Sequence, residues 1–128
     1  AHEVFTGADL IAAQKLVRRM PVGDAVVELI LDLVRACRPG EPEGEDIVNK
    51  SVGWGPGPRA AQALMMTVRA RALLDGRLAP SAEDVMAMAR PVLSHRMALT
   101  FAARARGESL AHVIETVSES VTRVEAAA

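Results

Sequence analysis

Aromatic side chains are almost missing from this 128-residue sequence, which has one Trp, two Phe and no Tyr, 2% of the chain. Half of the residues are nevertheless hydrophobic. The core must therefore be built from Ala, Val, Leu, Ile and Met, which suit closely packed helices better than a pleated sheet. A single cysteine, Cys37, excludes an internal disulfide. With only His2, His95 and His112 beside it, there is no spaced Cys/His set of the kind that holds structural zinc, and no metal site is expected. Excess charge is missing too. Fifteen basic residues against sixteen acidic ones leave a net charge of −1, with no basic stripe to draw in nucleic acid or an anionic membrane. No run approaches the roughly 18 apolar residues of a membrane span, and no basic flank precedes an apolar stretch at the N-terminus. These absences lead to the expectation of one cytoplasmic domain over residues 1–128, without nucleic-acid or membrane partners. The chain starts at Ala1 rather than Met, the look of an excised fragment, although Met removal before Ala gives the same start.

Periodicity and caps predict an all-α fold of five to six helices. Thr6 and Asp9 have capping-box spacing at the head of a helix that carries Leu10, Ile11, Ala13 and Val17 and stops at Met20-Pro21. Asp24 is expected to cap a second helix from about Ala25 to Arg38. Its apolar residues cover roughly 200° of the helical wheel, as a central helix requires. From Pro39 to Pro58 the chain is rich in Gly, Pro and acidic residues and has no period, so a long irregular loop is expected between helices 2 and 3. The third helix is predicted from Pro58 to near Asp75, with Gly76 as its stop and Ala61, Leu64, Met65, Val68 and Ala72 as its apolar stripe. Ser81 and Asp84 form a second capping box. Pro91 is expected to kink or restart the helix that follows. Residues 97–106 read as a short helix, and a last helix starts near Ser109. Met65, Met66, Met86 and Met88 are expected as core filler.

Signatures of a self-sufficient active site are absent. The sequence has no G-x-x-x-x-G-K-[ST], no G-x-G-x-x-G, no H-E-x-x-H and no G-x-S-x-G. One feature breaks an ordinary rule. Gly55-Pro56-Gly57-Pro58-Arg59 places an arginine in the first turn of a helix, where the partial positive charge of the helix end disfavours a cation by roughly 0.3–1 kcal/mol. An anion at that end would reverse the sign, because backbone N–H groups and the guanidinium fork would converge on one phosphate. Arg59 lies about 160° around the helix from Ala61, so it is expected to point away from the domain's own core. Trp54 is a candidate to stack on an adenine base, or else to dock on its own domain.

The run GPGPRAAQALMMTVRARALLDGRLAPSAEDVMAMARPVLSHRM resembles the lid of MoxR-type AAA+ ATPases. There the pattern is G-A-S-P-R-A, an Ala/Leu-rich helix, G-R, a link ending in Pro, E-D-V, and P-V-L-x-H-R. Upstream, DLIAAQKLVRRMPVGDAVVELILDLVRACRPG is similar to the helix pair that opens the same lid. Downstream, TFAARARGESLAHVIETV is similar to its last helices. The resemblance spans about residues 6 to 121. Gly57 stands where the family usually has Ser, and Cys37 where it has Thr.

The resemblance implies that Arg59 is the sensor 2 arginine that reaches the phosphates of a bound nucleotide; Pro58, Gly57 and Trp54 are the candidate nucleotide-facing residues beside it. It implies ATP and Mg²⁺ held by an upstream AAA+ large domain, and no tight nucleotide binding or hydrolysis by this chain alone. It also implies a homo-oligomeric ring and a chaperone-like role in maturing enzyme complexes, often with a von Willebrand factor A-domain protein. Two alternatives stay open: the lid of a magnesium-chelatase-like AAA+ ATPase, or a stand-alone helical protein-interaction module.

Overall fold

Short-range chemistry accounts for where the helices begin and end in the computed structural model, which describes His2 and residues 4–127, with side chains as far as Val124. Helix α1 (Gly7–Arg19) opens on the Thr6 capping box: the Thr6 hydroxyl accepts from the Asp9 amide at 3.1 Å, and the Asp9 carboxylate accepts from the Thr6 amide at 2.9 Å. Met20, held extended before Pro21, ends it. Helix α2 (Asp24–Ala36) is capped by Gly23 rather than Asp24. Asp24 instead sits in the first turn, where a carboxylate also suits the helix dipole. Helix α4 (Pro58–Leu74) ends in a Schellman turn. Gly76 adopts φ 74°, and the Arg77 and Gly76 amides donate back to the Ala72 and Leu73 carbonyls. Helix α5 (Ala82–Leu93) follows the expected Ser81–Asp84 box, and α7 (Leu110–Ala127) closes the chain.

Helix α2 is the central element, burying Val26, Leu29, Ile30, Leu33, Val34 and Ala36 and packing on α4, α5 and α7. The same core takes in Ala60, Leu64 and Val68 of α4, Val85, Ala89, Val92 and Leu93 of α5, and Val113, Ile114 and Val117 of α7. No aromatic ring enters this core: Phe5, Trp54 and Phe101 are 59, 62 and 88% exposed. The core is held by packing without aromatic rings, in which each missing methylene is felt. Helix α1 packs mainly on α4 and buries none of its residues.

Several expectations need correction. Residues 39–57 are not wholly irregular. They hold a short helix α3 (Asp46–Ser51), with Val48 and Ser51 buried, and a strand β1 (Val52–Trp54). Six residues are too few to show a period, so the segment reads as loop. The run 97–106 is not one helix. It begins with β2 (Ala98–Leu99), antiparallel to β1 through Val52–Leu99 and Trp54–Ala98 pairs, before Thr100 caps α6 (Phe101–Ala105). The described residues thus hold seven helices and one small two-stranded sheet in an otherwise all-α fold. Pro91 does not restart α5, which runs on to Leu93 with Val92 and Leu93 buried in the core. Met65, Met66, Met86 and Met88 are half-buried, and of these Met65 and Met88 pack against the core. The buried methionines are Met20 and Met97.

Candidate nucleotide-sensing site at the start of α4

The first turn of α4, like those of α6 and α7, holds no acid, but it differs from those of α1, α2, α3 and α5. Helices α1, α2, α3 and α5 place Asp9, Asp24, Asp46 and Glu83–Asp84 in their first turns, whereas α4 has no acid there and carries Arg59 instead. Gly57 is the N-cap, in extended conformation and without a side chain to cap the helix amides. Pro58 supplies the first helical residue and has no N–H to satisfy. Gly57, Pro58 and Arg59 are all exposed, and none of the hydrogen bonds or ion pairs found among the described residues involves the Arg59 guanidinium. The helix end therefore presents donors and positive charge with no counter-ion among the described residues, an arrangement an anion would stabilise.

The turn in front of Arg59 rests directly on the C-terminal end of α2. A Cβ on Gly55 would come within 2.8 Å of the Cys37 carbonyl oxygen and 3.0 Å of Arg38 Cα, so no larger residue fits without a shift. Pro56 is buried, and its carbonyl accepts a 2.8 Å hydrogen bond from Arg38 Nε. Cys37 is fully buried beside this contact, and burial pushes its thiol up to about 12, so it is not a nucleophile at neutral pH. Trp54 lies on β1 with most of its ring exposed, so it is not folded into its own domain. Among the described residues, no group of His, Cys, Asp or Glu could hold a metal ion, and no helix is long and apolar enough to cross a membrane.

Two features escaped the sequence reading. Arg38 and Gly55, which fix the turn, carry no signal of their own in one sequence: the first reads as the end of a helix and the second as one glycine among many. The second feature is a charge cluster at the other end of α4. Asp84 is more than a capping residue. Its side chain is 1% exposed and accepts from Arg77 Nη1 at 2.8 Å and Nη2 at 2.7 Å, from Arg71 Nη1 at 3.3 Å and from the Ser81 amide at 2.8 Å. The Arg77 guanidinium, more than any other neighbour, holds the Asp84 carboxyl down at about 2 against the opposing effect of burial. Residues from α4, the Gly76 turn and α5 are joined here, so the whole α4–α5 hairpin is fixed behind the turn that carries Arg59.

The geometry is matched by kinship. The profile of the AAA lid domain family matches residues 44–117, more than half of the chain. Chaperone MoxR1 of Mycobacterium tuberculosis is 31% identical over 121 residues, covering 94% of this chain and 32% of that protein. The crystal structure of a protein from Cytophaga hutchinsonii assigned as an ATPase superposes with a TM-score of 0.80 at 26% identity, covering 86% of this chain and 33% of the other. The chain thus spans about a third of the length of each of these two relatives. Helical architecture, the Gly57-Pro58-Arg59 helix start and the family match agree: this chain belongs to the AAA lid domain family, and its likeness to a MoxR chaperone runs through nearly its whole length.

Proposed function

We propose that this chain is the lid of a MoxR-like AAA+ ATPase and that Arg59 is its sensor 2 arginine. The observation that carries the reading is the exposed, unpaired Arg59 in the first turn of α4, a position at which α1, α2 and α5 carry acids. A phosphate placed there by another domain removes the unfavourable charge arrangement and gains a bidentate guanidinium contact. ATP and Mg²⁺ would be held by a large nucleotide-binding domain, which supplies the phosphoryl-transfer chemistry. Arg59 would contribute electrostatic stabilisation of the terminal phosphate and report its presence. The exposed apolar residues Phe5, Leu10, Ile11 and Leu16 on and before α1 offer the surface on which that domain would rest.

The Asp84 cluster and the Arg38 contact make α4 part of a stiff body, so a pull on Arg59 would move the domain as a unit relative to the large domain. In a ring of such subunits that motion would be the mechanical output, put to a chaperone-like use with a protein partner such as one bearing a von Willebrand factor A domain. The reading places the assembly in the cytoplasm. The isolated chain is expected to hydrolyse no ATP, since the lid holds no Walker loop. The direct test is ATP turnover in the longer protein. Arg59→Ala should lower it by about tenfold or more, a barrier change of about 1.4 kcal/mol. Unchanged turnover would remove Arg59 from the site.

A further inference from the structure

We infer that Arg38, at the C-terminal end of α2, is the positioning residue for Arg59; the inference rests on the sensor reading of Arg59 and adds what holds that residue in place. The turn Gly55-Pro56-Gly57-Pro58 has two residues without N–H groups, so it can make few backbone hydrogen bonds of its own. Its Pro56 is buried, and a buried carbonyl must find a donor. Arg38 provides it through Nε at 2.8 Å, from 18 residues away in sequence. A charged donor makes this bond stronger than a neutral one.

Arg38 also sits where three segments meet. Its backbone follows the buried Cys37, and its Cα and carbonyl crowd Gly55 and Gly44, each too close for a side chain: a Cβ on Gly44 would lie 2.8 Å from the Arg38 carbonyl oxygen. Asn49 of α3 ties the same region by accepting from the Gly40 amide at 2.8 Å. The start of α4 is therefore referenced to the end of the central helix through one guanidinium and the Gly55 contact, and not through a capping side chain, which Gly57 cannot supply; the Gly44 contact ties the loop before α3 to the same point. A lid that reports on a phosphate needs its sensing arginine fixed to the body it moves. Arg38 makes that connection while its own Nε points at the turn and not at a ligand, so it acts through Arg59.

The test is a double-mutant cycle on ATP turnover in the longer ATPase, paired with amide hydrogen exchange on this chain. Arg38→Ala should lower kcat by about fivefold or more with KM changed less than about twofold, and the Arg38→Ala/Arg59→Ala pair should be no slower than Arg59→Ala alone, since residues acting as a unit are non-additive. Arg38→Gln, which keeps a donor near Pro56 and guards against a folding failure of the alanine variant, should recover part of the loss. In both variants the Ala60 amide, which donates to Gly57 at 2.9 Å, should exchange faster while the core of α2 stays protected. Additive losses in the double mutant, or unchanged Ala60 exchange, would overturn the inference. Faster Ala60 exchange with normal turnover in Arg59→Ala would instead overturn the sensor reading and, with it, the functional role given to Arg38.

Discussion

Replacing Asp84 by Asn tests how the lid is held rigid. The substitution keeps size and shape but removes the charge that Arg77 grips at 2.7 and 2.8 Å and Arg71 approaches at 3.3 Å. Hydrogen bonds to a charged partner contribute roughly 1.5–3 kcal/mol where solvent is excluded. Here the two arginine side chains are 38 and 40% exposed and water can rehydrate them, which lowers the loss. We expect Asp84→Asn to destabilise by about 2 kcal/mol, and Asp84→Ala by about 3 kcal/mol because the capping bond is lost as well. For a domain of this size the Asn change corresponds to a fall in Tm of roughly 6–10 °C. The pH dependence provides a second reading. The folded carboxyl is held down at about 2, below its unfolded value, so its stabilisation is complete above about pH 4 and is lost as pH falls through about 2. Thermal unfolding followed by far-UV circular dichroism should show the wild-type advantage at pH 7 shrinking between pH 4 and pH 2. A variant melting within about 2 °C of wild type at pH 7 would refute the reasoning. So would an advantage that persists unchanged at pH 2.

Two further substitutions or probes follow from the turn and its support. Gly55→Ala forces a methyl group to within 2.8 Å of the Cys37 carbonyl, and should lower stability by roughly 1–3 kcal/mol in denaturant titration while loosening the turn before Arg59. The Cys37 thiol, fully buried and raised to about 12, should react with a thiol reagent at pH 8 only as fast as the domain opens, and at the rate of a free thiol once it is unfolded. Rapid labelling of the native chain would contradict its burial.

How much of this was legible in the sequence depends on the range of the signal. The long helices were, because α2, α4 and α7 each carry a full apolar face and α1 and α5 open on capping boxes whose partners lie three residues apart. Arg59 was legible for a similar reason, since an adverse charge at a helix start can be seen locally. The Arg38 contact and the arginines around Asp84 were not: the first acts across 18 residues on a backbone carbonyl, and Asp84, legible only as a cap, gathers arginines from beyond a turn. Helix α3 and strands β1 and β2 were hidden by their length, and by a Gly- and acid-rich setting that reads as loop. At Pro91 the expected restart does not occur, because the burial of the two residues after it holds the helix together.

The central claim is that Arg59 senses the terminal phosphate of a nucleotide held by another domain. The most direct measurement compares affinities of the longer ATPase for ADP and for a non-hydrolysable ATP analogue, by calorimetry, with and without Arg59→Ala. The account predicts about a tenfold loss for the triphosphate, about 1.4 kcal/mol, and little change for ADP. Equal losses for both nucleotides, or none for either, would contradict it.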